Sequence, residues 1–131
     1  MLFRKTAALL SVVSAVAESQ TGSTYQVIPD PSDEAADHDL AFRVFFQVKS
    51  SGGAADSTVD TKIQTSVDGV EWADVTSATQ VGQDESIQEW SPALDLGPYV
   101  RAVTELGGTL PDHTCSVTLA GSGGFSLHKV A

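Results

Sequence analysis

From Thr58 onward the chain alternates with a period of two. Val59, Thr61, Ile63, Thr65 and Val67 fall on one face; Asp60, Lys62, Gln64 and Ser66 fall on the other. Such alternation marks a strand with one face buried and one face wet. Asp68-Gly69 interrupts the run, and Val70, Trp72 and Val75 continue beyond it. An Asp-Gly pair between two apolar runs predicts a hairpin closed by a tight primed turn, because glycine accepts positive φ at little cost. Leu40 to Lys49 predicts a second strand, with Phe42, Val44, Phe46 and Val48 inward and Arg43, Phe45, Gln47 and Lys49 outward.

Shorter strands are predicted over Tyr25 to Ile28, Ser86 to Trp90, Ala93 to Leu96, Tyr99 to Leu106 and His113 to Ala120, with Phe125 to Leu127 as a short tail. Turn residues punctuate them at Gly22-Ser23, Ser50 to Asp56, Gly97-Pro98, Gly107-Gly108 and Gly121 to Gly124. Spacing of this kind predicts an all-β fold, an antiparallel β-sandwich or jelly-roll-like domain of about seven to eight strands. Shared strand phase places Phe42, Val44, Phe46, Val48, Ile63, Val67, Val100, Ala102, Val117 and Leu119 in its core.

A length of 131 residues allows one such domain, expected over residues 24–131, with an extended N-terminal arm over residues 1–23. The arm opens on Met1, Leu2, Phe3, Arg4 and Lys5, continues through a short apolar run, and reaches Ala15-Val16-Ala17. That order imitates a secretory signal with a small-residue cleavage site. The run is too short to span a bilayer, and Thr6, Ser11 and Ser14 interrupt it. The expectation is an arm that stays attached, part of Leu9 to Ala17 forming a strand or docking on a neighbouring subunit. Leu9, Leu10, Val12 and Val13 are its candidate interface residues, together with Trp90 and Phe125 in the domain.

Charge narrows the function. Seven Lys plus Arg stand against seventeen Asp plus Glu, a net charge of −10. Nucleic-acid binding needs clustered cations that release counterions from phosphates. Arg43, Lys49, Lys62, Arg101 and Lys129 are scattered, so neither a nucleic acid nor a membrane is expected as partner. Cys115 is alone, which excludes an internal disulfide and a cysteine-based zinc site and favours folding in a reducing cytoplasm.

Candidate chemistry is sparse. Asp30, Asp33, Glu34, Asp37 and Asp39, with His38 among them, crowd the segment 29–39; the carboxylates are hard oxygen ligands suited to calcium, without the glycine or spacing of an EF-hand. A solvated acidic loop is the simpler reading. His113 and Cys115 share a strand face as a base and a nucleophile would, but no third group accompanies them. Asp68 and Glu71 are explained by hairpin formation. Trp72 and Trp90 are candidate stacking platforms for a sugar. No Gly-x-Ser-x-Gly, phosphate-binding loop or His-Glu-x-x-His occurs. No catalytic residue, metal or cofactor is expected.

Three segments stand out together: Lys62 to Ser66 with Asp68-Gly69, Trp72 and Asp74; then Leu96-Gly97, Tyr99 to Ala102 and Leu106 to Thr109; then the strand carrying Ser116-Val117. In combination they resemble a group of small tailed-phage virion proteins. The resemblance runs from about Asp60 to Gly121; the strand from Leu40 and the arm fit it more loosely, and the acidic loop departs from it. It implies a sandwich and a structural role with no catalytic residues to transfer. The expectation is a capsid decoration or cement protein on the virion surface, made in the host cytoplasm. It would be a homo-oligomer, a trimer first, bound to the major capsid protein or other virion proteins by multivalent contacts. The alternative expectation is a carbohydrate- or receptor-binding sandwich on a phage tail or cell surface.

Overall fold

The computed structural model describes residues 6–30 and 40–130; along the first strand the described side chains are those of Ala8, Val13 and Val16. The strands are β1 (Thr6–Val16), β2 (Gln20–Thr21), β3 (Tyr25–Pro29), β4 (Phe42–Ser51) and β5 (Thr58–Ser66). They continue as β6 (Ala73–Ser77), β7 (Ser86–Trp90), β8 (Tyr99–Gly107), β9 (Asp112–Gly121) and β10 (Phe125–Lys129). Sheet I has the order β1-β9-β4-β7. Sheet II has the order β10-β3-β8-β5-β6, with β2 also paired to β8. Every pairing is antiparallel. The chain is an antiparallel β-sandwich.

The alternation read from β4 produces the core of sheet I. Phe42, Val44, Phe46 and Val48 are all buried, and Val117 and Leu119 of β9 meet them from the neighbouring strand. Val59 and Ile63 of β5 with Val100 and Ala102 of β8 supply the facing layer. Burial of large apolar side chains from both sheets is the main favourable term holding such a sandwich together.

Four expectations change. Val67 is 83% exposed rather than buried. The β5–β8 ladder ends at Ser66↔Tyr99, and the alternation of β5 breaks there, with Thr65 half-buried and Ser66 buried. Val67 therefore steps off the sheet with no strand opposite it. The hairpin after β5 is not a two-residue turn: the first rung beyond it is Thr65↔Ala73, and residues 67–72 form a longer loop. Ala93 to Leu96 is no strand; Leu94 alone bridges to Phe42, between Pro92 and Pro98, which cannot donate to a ladder. The short tail is instead a full edge strand, β10, paired along its length with β3.

The N-terminal segment is also structured. β1 pairs with β9 from Thr6↔Gly121 to Val16↔His113, with register shifts around Leu10 and between Val13 and Val16. It is thus an edge strand of sheet I in its own chain. β2 pairs with β8 through Gln20↔Thr104 and Thr21↔Val103. The acidic residues from Asp33 to Asp39 lie outside the described residues; Asp30, at the boundary, donates its N–H to the Gly124 carbonyl at 2.9 Å.

Candidate functional site

Three places gather polar or exposed aromatic side chains: the outer face of sheet I, the loop beyond β5, and the buried end of the sandwich near His113.

The outer face of sheet I is built by register. Phe45 is opposite Trp90 on β7 and Thr118 on β9. Gln47 is opposite Gln88 and Ser116, and Lys49 is opposite Ser86 and Thr114. Odd-numbered β4 residues share one face, so these form three rungs: one aromatic, two polar. Phe45 and Trp90 have ring centroids 4.9 Å apart and tilted by 45°. The Arg43 guanidinium lies 5.4 Å from the Trp90 ring centroid, held there by Nε donating to the Ser91 carbonyl at 2.8 Å. Trp90 is still 43% exposed. Ser116 Oγ donates to Gln47 Oε1 at 2.9 Å, which leaves the amide N–H groups of Gln47 to other acceptors. The two polar rungs line a shallow groove of about 360 Å³.

The loop beyond β5 is ordered by its own side chains. Asp68 Oδ1 accepts from the backbone N–H groups of Val70 at 2.8 Å and Glu71 at 3.0 Å. Ser66 Oγ accepts from Gly69 N at 2.8 Å and donates to Asp68 Oδ1 at 3.0 Å. These bonds to the charged form hold the Asp68 carboxyl below its ordinary value, the Glu71 and Val70 amides first. Gly69 sits at φ +78°, the conformation that the turn requires. A Cβ on Gly97 would come within 2.9 Å of the Ser66 carbonyl oxygen, so a glycine lets the 96–98 turn pack against the end of β5. At the tip Val67 and Val70 are 83% and 78% exposed. Behind them Arg101 stacks on Trp72 at 4.2 Å and donates from Nε to Gln64 Oε1 at 2.8 Å.

The third place is closed. His113 and Cys115 both point inward and are buried, so neither meets solvent. His113 Nδ1 lies 2.6 Å from the Val16 carbonyl, which fastens the end of β1 to β9. Thr104 Oγ1 lies 3.9 Å from Cys115 Sγ and 3.4 Å from Thr61 Oγ1. Burial pushes the Cys115 thiol up from its ordinary value, and thiolate is what a nucleophile needs.

The expected interface residues are thus dispersed. Trp90 is open on sheet I. Phe125 is buried against Phe42, edge to face at 5.3 Å, and a side chain enclosed in its own core presents no free surface. Val13 is partly buried on β1; the side chains of Leu9, Leu10 and Val12 lie outside the described ones. Of the two tryptophans, Trp72 has a face occupied by Arg101, and Trp90 has the greater exposure to solvent. Sequence periodicity assigned Phe45, Gln47 and Lys49 to one face but carried no sign of their partners on β7 and β9. The exposure of Val67 and Val70 was masked by the same alternation that identifies β5.

Among the described residues no group of three or more His, Cys, Asp or Glu side chains could hold a metal ion. Among them, too, no helix is long and apolar enough to cross a membrane. No protein-family model matches the chain, and no curated protein matches it. The likeness to tailed-phage virion proteins rests on the sequence motifs alone.

Proposed function

We propose that the protein is a non-enzymatic structural protein that decorates a virus capsid, attaching by apolar tips and reinforced by oligomerisation. The observation that carries this reading is the tip of the β5–β6 loop. Val67 and Val70 are held in solvent by a network centred on Asp68 and Ser66. An apolar pair on a pre-ordered support loses little conformational freedom when a partner covers it. A few such contacts per oligomer sum to tight attachment on a repeating lattice. The motif resemblance supplies the capsid, and the acidic surface keeps the protein from competing for packaged nucleic acid.

Co-sedimentation with capsids of the parent virus tests it. The wild-type chain is expected to pellet with capsids over a wide range of salt, because apolar contacts are not screened. Val67→Asp with Val70→Asp is expected to stay in the supernatant while melting like the wild type. Failure of the wild-type chain to bind at any salt rejects the reading.

A further inference from the structure

We propose that the outer face of sheet I is a binding site for an acidic oligosaccharide, with Trp90 as the stacking platform and Lys49 as the carboxylate partner. The site is independent of the capsid contact, which lies on the β5–β6 loop.

Ligand chemistry follows from what the three rungs offer and lack. Sugar rings combine apolar C–H faces with hydroxyl groups that both donate and accept. Trp90 presents an aromatic ring to the first. Gln47, Gln88 and Ser116 answer the second, since amides and hydroxyls supply donors and acceptors without net charge. Successive rungs are about 7 Å apart along the strands and neighbouring strands about 4.8 Å apart. The face therefore suits a short chain of rings lying along β4, stacked on Trp90 at one end and reaching Lys49 at the other.

A peptide lying along β4 cannot add to the sheet. β4 is already paired on both sides, by β9 and β7, and the free edge of sheet I at this end is the far side of β7.

Local charge supplies the acidic part. The chain carries −10 overall, yet the outward positions from Arg43 to Lys49, and those opposite them on β7 and β9, include no carboxylate. Asp112 enters only beyond Lys49, opposite Ser51. Lys49 has no acidic partner among the described residues. An anionic ligand is repelled by most of the protein and drawn to this face.

The site is also pre-organised. Phe45 and Arg43 hold the Trp90 ring, and Ser116 fixes the Gln47 amide. Ordered platforms of this kind raise affinity by reducing what binding must immobilise.

Full-length protein carrying Trp72→Phe leaves Trp90 as the fluorescent reporter. It is titrated with trigalacturonate, with a hyaluronan tetrasaccharide, and with neutral maltotriose. A saturable change in Trp90 emission with at least one acidic probe is expected, about tenfold tighter than with maltotriose. In calorimetry on the otherwise wild-type chain, Trp90→Ala weakens that binding by about tenfold or more, and Lys49→Gln weakens it about threefold while leaving maltotriose unchanged. Gln47→Ala with Gln88→Ala weakens all three probes. Thermal melts establish that each variant is folded.

No saturable response to either acidic probe overturns the proposal, as does binding that survives Trp90→Ala. Equal affinity for maltotriose overturns the acidic assignment. If Trp90→Ala instead dissociates an oligomer in analytical ultracentrifugation, the face is a contact between copies of this chain and the saccharide site is rejected. Capsid co-sedimentation of the same Trp90→Ala protein should be unaltered, which keeps this outcome separate from that of the decoration reading.

Discussion

On the outer face of sheet II, Lys62 is held between Asp74 at 3.4 Å and Glu105 at 3.2 Å, and Arg101 between Gln64 and the Trp72 ring. On the outer face of sheet I, Lys49 has no acidic partner and Trp90 stands open to solvent. Both faces arise from the same alternation of polar residues along central strands. One satisfies its cations within the protein; the other leaves hydrogen-bonding and stacking capacity unspent. A charged surface whose groups are already matched has little left to offer a ligand. Polar content alone does not mark a site; unmatched polar content beside an open ring does.

The two faces share one core, and the most severe way to break the comparison is to remove it. Phe46→Ala empties the space between the sheets and is expected to cost about 3–5 kcal/mol. The two sheets should then melt together in a single denaturant transition. Separate transitions for Trp72 and Trp90 fluorescence would show that the sheets are not one cooperative unit.

Arg101→Ala opens the network on sheet II alone. It removes the stack on Trp72 and the bond to Gln64, and a loss of roughly 0.5–2 kcal/mol is expected. Urea unfolding measures the loss, and saccharide titration of the same variant should be unchanged.

Acid and base separate the faces by charge. The folded protein holds the Asp74 carboxyl below its ordinary value, through Gln64 first and then Lys62, and holds Asp68 down as described above. For a depressed carboxyl the stabilisation is complete above the unfolded value of about 4 and fades as pH falls through the lower folded value. Glu105 first, then Asp74, raises the Lys62 ammonium above its ordinary value. That contribution is complete below the unfolded value of about 10.4 and fades as pH rises through the folded one. Thermal melts from pH 2 to about 11 should show both losses. Asp74→Asn should flatten both: the acid limb loses its carboxyl, and the base limb loses one of Lys62's two partners.

Lys49→Gln, by contrast, should change stability by less than about 0.5 kcal/mol, as expected for an unpaired surface charge. A larger change in Tm would reveal a partner on sheet I and erase the difference between the faces. Smallest of all is the effect of a thiol reagent on the native protein. Cys115 is buried and its thiol is pushed up by burial, so Ellman's reagent should react only after unfolding.

The strand phases of β4 and β9 were legible because each buries a complete alternating set, so the side chains themselves report the inner face. Pairing was not legible. Nothing in residues 6–16 names β9 as their partner, and nothing in Trp90 names Phe45, because register is decided by the whole sheet and not by either strand. Val67 failed for a related reason: the alternation breaks at the end of β5, where Thr65 is half-buried and Ser66 buried, and the ladder to β8 stops at Ser66. Phe125 has only a short pattern around it, and its place in the core depends on β3 and Phe42.

The pairing of β1 with β9 sets an order of events during synthesis. Thr6 to Val16 leave the ribosome roughly a hundred residues before the strand that receives them. At ordinary translation rates the interval is on the order of ten seconds. Throughout it the run Leu9, Leu10, Val12 and Val13 has no ladder to join. An unpaired apolar strand is a template for association with other chains. Until β9 emerges, this segment is the part of the nascent chain most open to association with its neighbours.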